Sequence, residues 1–149
     1  MRRSSSEGDD ILLESDLLLA YVKKEDRLKP VAEKILVGID SGRLKGFYAS
    51  TAAIQEIVFW FFNRNLLKEL VDAVNALIHI RNLDWVGITS EICLTASILM
   101  SEYGVSPFDS YHAATAISRD KKILSTEHVY DVIKGIERID PKDFIRKFC

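Results

Sequence analysis

Apolar residues recur along the chain in two rhythms. Short runs, ILLE at 11–14, KGFYA at 45–49, WVGI at 85–88, KILST at 122–126 and IERI at 136–139, have the length and composition of strands. The segments between them carry apolar residues three and four apart, which predicts helices. One begins near Asp16 with LLLAYVKK, and the next runs from about Pro30 to Asp40 and ends near Ser41-Gly42. TAAIQEIVFWFFNR and LLKELVDAVNALIHIR fill residues 51–81, SEICLTASILMSEYG stops at Gly104, and SPFDSYHAATAISRD opens another helix. Strands that alternate with helices predict a parallel sheet of about five strands covered by helices on both faces, a three-layer α/β sandwich.

That architecture says where chemistry should lie, because open α/β sheets bind their ligands beyond the carboxyl ends of the strands. Carboxylates cluster at those places. Glu14 ends the first strand and Asp16 stands in the turn after it. Glu56 interrupts the most apolar helix, just after the second strand; Asp109 lies in SPFD; Glu127 directly follows KILST, with Asp131 one turn on. Each has an ordinary explanation alone. Ser15 or Asp16 would cap the following helix, Glu56 would face solvent, Asp109 would complete a capping box with Ser106, and Glu127 would favour a helix N-terminus. Taken together they bring carboxylates to one rim from four segments. Such a group repels itself unless protons or cations relieve it, and hard divalent cations, Mg²⁺ or Mn²⁺, suit all-oxygen sites. Ala113 and Ala116 share a helix face with Asp109 and let that helix lie close to the sheet.

Composition narrows the class. The 149 residues suffice for one core, and residues 11–149 read as one domain behind a flexible extension, residues 1–10. The longest apolar run, IVFWFF at 57–62, is far shorter than a membrane span; core packing is its first explanation and a subunit interface the second. Cys93 and Cys149 form neither a metal motif nor a disulfide framework, which predicts a reducing, cytoplasmic setting. A net charge of −2 argues against affinity built on a broad basic face. Arg64, Arg81, Arg119, Lys121 and Lys122 are scattered cations that would guide a nucleic acid or simply be solvated, and Ser125 and Thr126 would bind phosphate or orient a carboxylate.

At these residues the chain resembles the PIN-domain ribonucleases, the family of VapC-type toxins. LLESDLLLAY matches the family's opening strand, acid and helix, with Glu14 in an Asp place; STAAIQEIV supplies the helical acid Glu56. SPFDSYHAATAI matches the family's Asp followed by small helix positions, and ILSTEHVYD matches its closing segment, again with a Glu, Glu127, for Asp. The resemblance spans roughly residues 11–145. It implies a metal-dependent hydrolysis of RNA phosphodiester bonds that leaves a 5′-phosphate. Glu14, Asp16, Glu56 and Asp109 would hold one or two Mg²⁺ or Mn²⁺ ions, with Glu127 and Asp131 ligating through water. It also implies a homodimer and a small antitoxin partner. The competing expectation is a PIN-like scaffold, weak or inactive in cleavage, that binds RNA or a protein.

Other chemistries find less support. His112 and His128 stand near Asp109 and Glu127, but neither a nucleophile elbow nor a reactive-cysteine pattern accompanies them. Dinucleotide and P-loop glycine motifs are absent, and WVGITS lacks the acceptor Asp of a phosphoreceiver.

Overall fold

The computed structural model describes residues 10–149, so the expected extension lies outside the described residues except for Asp10. Five strands, β1 (Ile11–Leu13), β2 (Phe47–Ser50), β3 (Asp84–Val86), β4 (Lys122–Leu124) and β5 (Glu137–Ile139), form one sheet in the order β3-β2-β1-β4-β5. Every pairing is parallel. Parallel strands need crossovers. Here these are α1 (Ser15–Val22), α2 (Lys29–Asp40), α3 (Thr51–Asn63), α4 (Leu67–Ile78), α5 (Ser90–Tyr103) and α6 (Pro107–Ile117), followed by α7 (Pro141–Phe148) after the last strand.

Side chains of the central strands alternate between two cores, as the pleat requires. Leu12, Tyr48 and Ile123 pack with α5 and α6 residues such as Ala96, Leu99 and Ala113. Leu13, Ala49 and Leu124 face the other way, against Leu17, Ile35, Ile57 and Phe144. These are the three layers that the alternation predicts.

Local signals set several helix ends. Ser50 caps α3 by accepting the Ala52 N–H at 3.0 Å, and Thr89 caps α5 by accepting that of Ile92 at 3.2 Å. Gly104 ends α5 in the left-handed region, φ 69°, where a side chain would be strained. The helix start weighed at Glu127 is a short 3₁₀ turn over His128–Val132; α7 was not anticipated, although Asp140 accepts two backbone N–H bonds at its N-cap and Pro141 takes its first position.

The run FWFF departs from the expected core role. Only Phe61 is buried, while Phe59 and Phe62 are 54% and 60% exposed. The reason is the helical period: Ala53, Ile57 and Phe61 recur every four residues and own the inward face of α3, which turns Phe59 and Phe62 outward.

Candidate active site

The connections that leave β1 and β4 pack on opposite faces of the sheet, Leu17 of α1 in one core and Tyr130 after β4 in the other, and β1 and β4 are neighbours. A crevice opens between their carboxyl ends, as at any such switch in an open α/β sheet. It holds a recess of about 240 Å³ lined by Glu14, Ser15, Asp16, Leu19, Glu56, Ile57, Trp60, Asp109 and Glu127. Five acids predicted to share a rim therefore do share one. A larger hollow, about 590 Å³, lies at the opposite ends of the strands, among Ile11, Phe47, Phe144 and Phe148. Its acids are already paired, Glu137 with Lys122 at 4.0 Å and Asp143 with Arg146. Convergent chemistry, not size, picks the smaller recess.

Glu14 is 2% exposed and caps α1 itself, in place of the Ser15 or Asp16 cap anticipated from sequence. Its Oε1 accepts the Ser15 hydroxyl and the Asp16 N–H, the latter at 3.2 Å; its Oε2 accepts the Ser125 hydroxyl at 3.1 Å. Asp16 ties β1 to β4. Its Oδ2 accepts the Thr126 N–H at 2.9 Å and the Thr126 hydroxyl at 2.7 Å, and its Oδ1 accepts the Leu17 N–H at 2.8 Å. Ser125 and Thr126 thus orient carboxylates, one of the two roles their place in the sequence allowed. Ser125 also accepts the Glu127 N–H at 2.9 Å, which fixes the turn that carries Glu127 to the rim.

Asp109 does not form the expected capping box. No side chain caps α6 at Ser106; instead the Ser106 hydroxyl donates to Asp109 Oδ2 at 3.0 Å, and the Tyr130 hydroxyl lies 3.5 Å from Oδ1. The carboxylate is left at the recess. Glu56 is likewise no solvent-facing residue: its Oε1 lies 2.6 Å from Nε2 of His112. His112 was not among the expected site residues, yet it is fully buried with Nε2 also 3.9 Å from Glu14 Oε1. The signal was its spacing, three residues after Asp109 and so on the same helix face.

Asp131 stands apart. Its exposed carboxylate accepts from Arg138 Nε at 2.9 Å and lies 2.9 Å from His128 Nδ1, and it does not line the recess. Arg138, followed by His128, holds its pKa below the usual value. Asp131→Asn is therefore expected to leave metal affinity and any cleavage rate within about twofold of wild type, a ratio read directly by titration and initial rates.

Charge crowding shows in the titration of the group. Burial, then the neighbouring charge of Asp16, pushes the Glu14 carboxyl up to about 7, against opposing contributions from His112 and Ser15. Burial also raises Asp16 despite the Thr126 hydrogen bonds, and raises Glu127 together with Asp16, Asp109 and Glu56. For His112 burial is the largest influence and favours the neutral ring, but Glu56, Glu14 and Asp109 together outweigh it and raise its pKa. A divalent cation would relieve all of this at once. The donor set fits one: single donor atoms of Glu14, Glu56 and His112 lie within 4.8 Å of one another, with three further carboxylates lining the same recess.

Of the scattered cations, Arg64 lies 4.0 Å over the ring of Trp60 at the recess, whereas Arg81 pairs with Asp40 at 2.9 Å and Arg119 covers Tyr48.

The family model of the PIN domain matches residues 11–135, from the first residue of β1 past the segment bearing Glu127. The chain belongs to the PIN domain family. Among solved structures this PIN domain is similar to VapC20 of Mycobacterium tuberculosis, a toxin that cleaves the sarcin-ricin loop, at 12% identity and a TM-score of 0.70, covering 87% of this chain and 98% of that one. It is similar to a chain of the DNA-bound VapBC of Salmonella typhimurium at 14% identity and a TM-score of 0.68, over 89% and 98% of the two chains. A chain of FitAcB from Neisseria gonorrhoeae superposes with a TM-score of 0.61 at 13% identity, over the same shares. At these identities the likeness is one of fold. A search of curated protein sequences found no match.

Proposed function

We propose that this PIN domain is a metal-dependent endoribonuclease and the toxin of a toxin–antitoxin pair. One observation carries the proposal: Glu14, Asp16, Glu56, Asp109 and Glu127 converge from four segments on one recess at the switch between β1 and β4. Those carboxylates would hold one or two Mg²⁺ or Mn²⁺ ions. Such an ion, when bound, supplies a water of lowered pKa and neutralises charge on the phosphate. The chain's own part is to position. Ser125 and Thr126 fix Glu14 and Asp16 from just beyond β4, Ser106 fixes Asp109 from the α6 N-terminus, and Leu19, Ile57 and Trp60 form the apolar part of the recess wall.

The shared fold with a toxin that cleaves the sarcin-ricin loop supports RNA as the substrate class. Neighbours that are toxin–antitoxin complexes support an antitoxin as partner. A homodimer is supported by the outward aromatics of α3, where the Phe59 ring lies 6.0 Å from that of Phe108. Exposed, unpaired Cys93 and Cys149 fit a reducing, cytoplasmic setting. Among the described residues no helix is long and apolar enough to cross a membrane.

The test is cleavage of a panel of labelled RNAs with Mn²⁺, Mg²⁺ or chelator, comparing wild type with folded Asp109→Asn. Cleavage is expected to require metal and to fall at least about tenfold in the variant, because a ligand charge is lost without a change of shape. Undiminished cleavage by folded Asp109→Asn would refute the assignment. The deep burial of Glu14 and its use as a helix cap favour a second reading, a scaffold that binds RNA or a partner without cutting. Absence of cleavage with retained RNA binding would decide for it.

A further inference from the structure

We propose that His112 is itself a metal ligand, so that the recess carries a nitrogen donor and selects Mn²⁺ and later transition ions over Mg²⁺. The inference rests on the proposed metal site and adds to it a ligand of a different chemical kind. His112 is fully buried on α6, one turn beyond Asp109, and a histidine serving only the core would turn its polar edge to backbone acceptors. Here Nε2 points into the carboxylate group, 2.6 Å from Glu56 Oε1 and 3.9 Å from Glu14 Oε1.

The dimensions suit shared coordination. Metal–donor bonds of about 2.1 Å place neighbouring donors about 3 Å apart, so the Glu56 contact opens by a few tenths of an ångström and the Glu14 contact closes. Glu56 has the freedom to do so, since its side chain is 27% exposed and lies in the wall of the recess. The ring's Nδ1 has no partner among the described residues. Ligation through Nε2 leaves the ring proton on Nδ1, a donor without an acceptor, and that cost is one the metal bond must outweigh. Imidazole suits transition ions, whereas Mg²⁺ prefers oxygen and keeps its waters.

The competing account is that His112 only donates a hydrogen bond and thereby positions Glu56. Pulsed electron paramagnetic resonance of the full chain loaded with Mn²⁺ separates the two, because a bound imidazole imprints ¹⁴N modulation on the Mn²⁺ signal. Modulation is expected in wild type, and a changed pattern when the histidines are labelled with ¹⁵N. His112→Gln is expected to lose it, with Mn²⁺ affinity down at least about tenfold and Mg²⁺ affinity changed less than about threefold. Bound Mn²⁺ without nitrogen modulation in wild type would overturn the ligand role and leave the metal site standing. That arm needs no variant, so misfolding of His112→Gln does not blunt it. Wild type that binds no Mn²⁺ would overturn both the inference and the metal site beneath it.

Discussion

Asp16→Asn is expected to reduce metal-dependent cleavage at least about a hundredfold while leaving the chain folded and no less stable. The two halves of this result have one origin. Asp16 Oδ2 is already committed to Thr126, and Oδ1 accepts only one bond, from Leu17, so it retains a lone pair for a cation. Removing the charge removes that ligand, and metal sites tolerate such losses poorly. The same charge is a burden to the fold. Burial raises the Asp16 pKa, and Asp16 is a leading reason that Glu14 and Glu127 are raised. Asparagine has the same shape and keeps an oxygen for the Thr126 donors, so the tie between β1 and β4 survives; its amide nitrogen gives up the Leu17 bond, a loss offset by removal of the buried charge. Single-turnover cleavage and a thermal melt in chelator measure the two halves on one preparation. Lost activity with a lower melting temperature would mean that Asp16 is mainly structural.

Glu14→Gln is expected to remove a pH dependence of stability that wild type shows when metal is withheld. The sign follows from linkage. A carboxyl whose pKa is raised from 4.5 in the unfolded chain to about 7 in the fold binds more protons when folded. Stability is then fully present below about pH 4.5 and declines as pH rises towards about 7, by about 3 kcal/mol in all. His112 acts in the same direction, because its raised pKa contributes stability that is lost as pH rises through the folded value. Glutamine imitates the protonated acid, and the Ser125 hydroxyl can reverse to accept from it. Denaturant melts of both proteins in chelator, across that range, are expected to show a falling stability in wild type and a much flatter profile in the variant. Added Mn²⁺ should restore wild type at the alkaline end by mass action and do little for Glu14→Gln. Equal pH profiles for the two proteins would show that the Glu14 carboxyl is not held neutral by its burial.

Both predictions describe a site that is costly to keep empty of positive charge. Where local chemistry works against stability, a functional cause is the expected one. The FWFF run on α3 is another local departure of this kind, since half of it lies outside the core.

By itself the sequence determined the layers and the rim. Strand runs apolar on both faces must be covered twice, so alternating strands and helices leave a parallel sandwich as the economical solution, and the ends of the runs mark where acids such as Glu14 and Glu127 lie. Helix ends were legible where a cap and a glycine act within a few residues, as at Thr89 and Gly104. The tertiary structure decided which side chains meet. His112 reaches Glu56 because α3 and α6 pack together across 56 residues of chain, and Asp131 leaves the recess because Arg138, seven residues away in the middle of β5, claims it. The Glu14 cap depends likewise on Ser125 arriving from 111 residues away. A side chain's partner is set by the docking of whole elements, through contacts whose cost and reward are shared across the core, and no window of local sequence contains that sum.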